Sequence, residues 1–213
     1  MPSGMTYSRF DELLERDGAA LLRLTFLLSR EKAAARELAF QSLLRLAARK
    51  DDEAGDGRLF LFTSAFRLCE DWFARKLRKK PGEEALRQSG LPFEVTGSLT
   101  QLLSAPFSCR AAAALAASGM DAEAIRQIAG GKAAHLAGKL TPGELEAAAG
   151  VIFGEDELSL LSDRVYERFA ERSVGVENAI HEVRIRFDRA APYLALAVLL
   201  FFAFCIWFSL RFS

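Results

Sequence analysis

Residues 60–76, FLFTSAFRLCEDWFARK, decide the fold. With the flanking Leu59 and Leu77, the residues Phe62, Phe66, Cys69 and Phe73 recur at spacings of three or four, which is the period of one face of an α-helix. The helix is expected to begin near Arg58, after the polar turn DDEAGDG. Phe62, Phe66 and Phe73 read as core, and Trp72 lies off their stripe. Downstream, Arg75, Lys76, Arg78, Lys79 and Lys80 form a cationic end suited to phosphate neutralisation. A solvated helix end favoured by the macrodipole explains the same run.

The same period extends upstream. Phe10, Leu13, Leu14, Leu21, Leu24 and Leu28 mark a helix over 8–28, with Gly18 as its expected bend. Ala35, Leu38, Ala39, Leu43 and Leu46 mark a second over 30–50. Three amphipathic helices enclose one small core, so residues 1–80 are expected to form a helical domain. No stretch alternates with period two between hairpin turns, and the fold class is all-α.

Downstream, residues 81–98, PGEEALRQSGLPFEVTGS, carry prolines and glycines that predict a linker rather than a helix. A second helical unit is expected over 99–149. In it Asp121 caps AEAIRQIA, Gly130 and Gly131 turn the chain, and TPGE at 141–144 has the capping-box form with proline at N1. Helix, short turn and helix suggest a helix-turn-helix. Residues 150–190 then read as amphipathic stalk helices, with Leu158, Leu161, Val165 and Phe169, and later Val176, Ile180, Val183 and Phe187, at helical spacing.

Residues 191–210, APYLALAVLLFFAFCIWFSL, carry no charge and are long enough to cross a lipid bilayer as a helix. Arg184, Arg186 and Arg189 precede this stretch and Arg211 follows it. The positive-inside rule therefore predicts a single-pass, tail-anchored protein of the inner membrane with its N-terminal domains in the cytoplasm. The absence of an apolar stretch near Met1 argues against a cleaved secretion signal. Cys69, Cys109 and Cys205 make no CxxC pair and His135 and His181 are isolated, so neither disulfide framework, metal nor cofactor is expected.

The formal net charge of zero hides a polarity along the chain. Lys and Arg stand against Asp and Glu at 16 to 12 over residues 1–80, 5 to 5 over 81–140 and 6 to 11 over 141–189. A basic front can mark a nucleic-acid surface, and a solvated mixed-charge surface is the commoner explanation. No nucleophile elbow, HExxH or P-loop is present, and GEDE at 154–157 reads as an acidic helix start, so the chain is not expected to be an enzyme.

The order of these segments resembles the extracytoplasmic-function sigma factors of bacterial RNA polymerase, over about residues 7–140. In that family the second helix of the first domain carries a signature near A-E-D-L-V-Q-E-x-F-L-R, and ARELAFQSLLR stands at 35–45. Ala35, Leu38, Leu44 and Arg45 agree, Glu37 replaces Asp, Leu43 replaces Phe, and Phe40 falls where the family has Gln. The resemblance implies that this helix docks on core RNA polymerase, with Glu37, Leu38, Gln41, Leu44 and Arg45 as candidate contacts.

The family pattern W-L-F-T-I-A-R-N-L-A-I-D-Y-L-R-R is similar to residues 60–76, which keep Leu61, Phe62, Thr63, Ala65, Leu68 and Asp71, with Trp72 for Tyr. Phe66 and Arg67 replace the family's Arg-Asn pair on the promoter-facing surface. The resemblance implies that Arg67, Asp71, Trp72, Arg75, Lys76, Arg78, Lys79 and Lys80 meet promoter DNA, Trp72 by stacking on unpaired bases. In the second unit, APFSCR at 105–110 and GMDAEAIRQIAGGKAAHLAGKL at 119–140 align with the family's L-P-x-x-x-R and G-L-S-x-x-E-I-A-x-x-L-G-x-S-x-x-T-V-K-S-R-L. Gly119, Ile125, Gly130, Leu136 and Leu140 are preserved. The implied recognition helix offers only Lys132, His135 and Lys139, amid alanines and glycines that supply few base-edge hydrogen bonds.

Two readings follow. In the first, the protein is a membrane-anchored, sigma-like regulator of transcription initiation, its partners being core RNA polymerase, promoter DNA and the lipid bilayer. In the second, a tethered interaction module derived from a sigma factor has lost promoter recognition and holds a regulatory protein at the stalk, through helices between Leu158 and Phe187. Release by cleavage at SVGVEN, residues 173–178, belongs to the first.

Overall fold

The structure, a computed structural model, describes residues 7–48, 56–75 and 83–168. Among them are helices and no strand: α1 (Tyr7–Ser29), α2 (Lys32–Ala47), α3 (Gly57–Arg75), α4 (Glu83–Gln88), α5 (Gly97–Ser104), α6 (Phe107–Ala117), α7 (Ala122–Ala137) and α8 (Pro142–Ala149). A ninth, α9, has residues 155–168 described. The chain divides into two compact units, Met1–Val165 and Tyr166–Ser213, and α1 to α8 lie in the first. The expected stalk beyond residue 168 and the expected membrane helix over 191–210 lie outside the described residues. No helix among the described residues is long and apolar enough to cross a membrane.

The core is built around α1, a helix about 35 Å long at 1.5 Å per residue. Its second half, LLRLTFLLS, has almost no polar face, and a helix apolar all round must be surrounded. Leu21, Leu22, Leu24, Phe26, Leu27 and Leu28 are all fully buried. Within this environment Thr25 donates its hydroxyl to the carbonyls of Leu21 and Leu22, at 3.0 and 3.1 Å, so no donor is stranded. Helices α2 and α3 cover part of this surface, and α6 covers another part.

Consequently the helices on either side of residues 81–98 share one core. Ala111, Ala112, Ala113, Ala114 and Leu115, consecutive and all buried, encircle α6, which packs against α1, α7 and α8. Polar ties reinforce the contact. The α1 helix ends at Arg30, which takes a left-handed φ of 64° and donates its N–H to the Phe26 carbonyl at 2.7 Å. Beside that end, fully buried Arg110 of α6 donates from Nη1 to the carbonyls of Leu27 and Leu28, at 2.7 and 2.9 Å. A cation there satisfies carbonyls that an α-helix leaves open and suits its dipole.

A reciprocal arrangement holds the other end of α6. Arg23 donates to the Ala117 carbonyl at 3.0 Å and to the Val151 carbonyl at 3.1 Å, and Arg58 of α3 donates to the Ser118 carbonyl at 2.7 Å. Arg58 also pairs with buried Asp17 of α1, at 2.9 Å.

Residues 81–98 differ from the linker that their composition predicts. EEALRQ forms α4, because good helix formers are joined there by one-turn pairs, Arg87 with Glu83 at 2.6 Å and Gln88 with Glu84 at 2.8 Å. Leu86 and Val95 are buried, and Phe93 stacks edge-on against Phe26, with centroids 5.2 Å apart. Lys32 adds a bond to the Gly90 carbonyl at 2.7 Å. Within the described residues 83–98, Leu86, Gly90, Phe93 and Val95 are the points of attachment to the core.

Gly18 also departs from expectation. Helix α1 runs through it without a break, and the glycine serves contact with α9 instead of a bend.

Candidate protein and nucleic-acid interfaces

Helix α2 carries the residues expected to meet polymerase. Its buried side comprises Ala35, Leu38, Ala39, Phe40, Ser42, Leu43, Leu46 and Ala47. Leu38 therefore faces the core, with 7% exposure, and supports the helix from behind. Glu37, Gln41 and Arg45 point to water at one-turn spacing, and Leu44 is half-buried beside them. Gln41 donates to Glu37 at 2.9 Å.

This face is not empty of neighbours. Arg164 of α9 pairs with Glu37 at 3.2 Å, and its guanidinium lies 4.3 Å from the centroid of the Phe40 ring. One turn earlier on α2, Arg36 donates from Nε to Glu157 at 2.6 Å, and its Nη2 bonds the other carboxylate oxygen. Lys32 approaches the same carboxylate at 3.2 Å. The Arg36 fork, seconded by Lys32, holds the Glu157 carboxyl below the usual carboxylate range against the opposing effect of burial. Beneath the charges, Leu161 and Val165 are buried and Leu158 rests on Gly18.

Helix α3 separates core from water as its period predicts. Leu61, Phe62, Ala65, Phe66 and Cys69 are buried, while Arg67, Asp71 and Arg75, spaced by four, form an exposed stripe. Trp72 is half-buried beside that stripe. Phe73 is half-buried too, against Phe107 of α6 at 5.2 Å and beneath the guanidinium of Arg110 at 5.7 Å. Lys76, Arg78, Lys79 and Lys80 lie outside the described residues. Burial pushes the Cys69 thiol up to about 12, which removes it from thiolate chemistry near neutral pH.

Helix α7 consists of two helical segments that meet at Gly130. Asp121 caps its start by accepting from the Ala124 N–H at 2.7 Å. Gly130, at φ 83° and ψ 170°, breaks the helix, a backbone state open to glycine and hostile to a Cβ. Past the break Ala133 and Ala134 are buried, while Lys132, His135 and Lys139 are exposed. Gly138 ends the helix after two turns. The capping box predicted at Thr141 is present, with Thr141 and Glu144 bonded reciprocally at 3.3 and 2.8 Å.

Helix α7 packs against α3, so the two elements expected to meet nucleic acid lie side by side. Among the described residues no group of three His, Cys, Asp or Glu is placed to hold a metal. Reasoning from sequence missed Gly18, Lys32, Arg36, Glu157 and Arg164 as a set. The acidic GEDE start was visible, yet Arg36 lies 121 residues before Glu157, and no local pattern links them. Compared with family models, curated proteins and solved structures, the chain matches none.

Proposed function

We propose that the protein is a membrane-anchored, sigma-like regulator of transcription initiation, docking on core RNA polymerase through α2 and on promoter DNA through α3 and the helix-turn-helix of α7. The observation that carries this reading is the division of α3, where the residues resembling the family's promoter-facing positions, Arg67, Asp71 and Arg75, stand on one water-exposed stripe opposite the core. Arginines spaced in this way neutralise phosphates without reading sequence, and Trp72 at the edge of the stripe is available for stacking on an unpaired base. Glu37, Gln41 and Arg45 form a comparable polar stripe on α2. The fold is the all-α one that the reading requires. Its finer division into two sigma-like domains, a stalk and one membrane helix belongs to the proposal.

A second reading, the tethered interaction module, is favoured by two observations. Lys132, His135 and Lys139 are the only strongly polar side chains on the short second half of α7 and the turn after it, which is little for base recognition. The α6–α7 unit is also tied to α1 and α3 through Arg110, Arg23 and Arg58.

Replacing Arg75, Lys76, Arg78 and Lys79 together by Ala separates the readings. Under the first, the full chain loses its low-salt DNA shift and its transcriptional effect. Under the second, function survives the change. Failure of the detergent-extracted full chain to bind purified core polymerase would sink the first reading.

A further inference from the structure

We propose that α9 is an autoinhibitory helix that occupies the flank of the α2 docking face and must leave before a partner can seat there. This rests on the reading of α2 as the polymerase-docking helix.

Named contacts tie α9 to α2 and α1. Glu157 is only 9% exposed and is bonded by Arg36 and approached by Lys32, so the first turn of α9 is fixed to the first two turns of α2. Two turns on, Arg164 takes Glu37, one of the candidate docking residues, and covers Phe40. A helix with its side chains is about 10 Å or more across. With α9 lying alongside, a partner that engages Glu37 must displace Arg164, whereas Gln41 and Arg45 stand open to water beyond it.

The seat also has the character of a releasable contact. Its apolar part is small: Leu158 enters the notch left by the missing side chain of Gly18, and Leu161 and Val165 are buried. The rest is charged, and ion pairs yield to a competing charged surface more readily than a large apolar interface does. Leu160 meanwhile stands 57% exposed on the outer face of α9, an apolar residue that the docked state leaves unburied. In chain order α9 is the described helix nearest to residues 191–210, where the sequence places the span.

The test uses the full chain in mild detergent, as wild type and as two separate variants, Glu157→Arg and Leu161→Asp, with two measurements on each. Amide exchange over residues 155–168 reports whether α9 is seated. Capture of purified core RNA polymerase reports whether α2 is accessible. The expected result is a protected α9 in the wild type, rapid exchange in both variants, and capture raised roughly tenfold, within the usual range for sites coupled through one two-state element. Adding Arg36→Glu to Glu157→Arg should restore protection. Equal exchange in wild type and both variants overturns the inference, because no seated helix then exists to be released. Released α9 with unchanged, measurable capture overturns the inference and leaves the polymerase reading standing. Released α9 with no capture at all overturns both.

Discussion

Gly18 and Leu158 are in direct contact across 140 residues of sequence: a Cβ at Gly18 would come within 2.9 Å of Leu158 Cδ2. The relationship explains why glycine stands in the middle of a 23-residue helix, where it costs about 1 kcal/mol relative to alanine. Because Cδ2 is the free end of a flexible side chain, Gly18→Ala should change stability by less than about 1 kcal/mol, the helix gain offsetting a small shift of Leu158. Gly18→Leu cannot be absorbed in that way and should unseat α9. Chemical denaturation and amide exchange over residues 155–168 check the pair of outcomes.

Arg110 joins the helices before and after residues 81–98, and its loss leaves the Leu27 and Leu28 carbonyls buried without their donor. At about 1–3 kcal/mol for each stranded group, Arg110→Ala should destabilise the unit by about 3 kcal/mol or more. For a unit of this size that corresponds to a fall in Tm of roughly 6–12 °C. Arg110→Lys should recover little, since an ammonium cannot reproduce the planar guanidinium that lies against both Phe73 and Phe107. Thermal unfolding of both variants measures this.

Acid should release α9. The Glu157 carboxyl is held below its ordinary value by Arg36 first and by Lys32 second, so the folded state favours its charged form. A depressed folded-state value stabilises the contact at all pH above the ordinary carboxylate range, and the stabilisation disappears as pH falls through the depressed value. Arg36 and Lys32 are the groups that face this carboxylate, and Glu37 with Arg164 forms the neighbouring pair. Exchange over 155–168, corrected for the intrinsic pH dependence of amide exchange, should therefore be constant from neutral pH to about 5 and rise below it. In Glu157→Gln it should be elevated already at neutral pH and much less sensitive to acid.

On α3, Arg67→Ala and Arg75→Ala should each weaken binding to duplex DNA uniformly across sequences. Each should lower the slope of log affinity against log salt by about one. A titration at several salt concentrations decides it, and an unchanged slope in both variants would remove this stripe from the DNA contact.

Much of the fold was legible because its determinants are local. The stripe of Phe62, Phe66 and Cys69, the Asp121 cap, the break at Gly130 and the Thr141 capping box each depend on residues within about one helical turn, and all appear as read. Residues 81–98 were harder, because prolines and glycines dominate their composition while Leu86, Phe93 and Val95 act through distant partners such as Phe26. Of the α2 contacts, Leu38 was named by resemblance although its place on the apolar stripe already pointed it inward, and packing agrees with the stripe.

The amino-acid sequence by itself determined that this chain is helical, where most helices start and stop, and which face of α3 is apolar, since hydrophobic period and capping act over a few residues. The tertiary structure alone decided that the helices on both sides of residues 81–98 share a core and that α9 closes on α2. Those outcomes depend on an α1 half too apolar to be covered by two helices, and on pairs such as Glu157 with Arg36. Side chains that far apart in sequence meet only once the burial of α1 has brought their helices together.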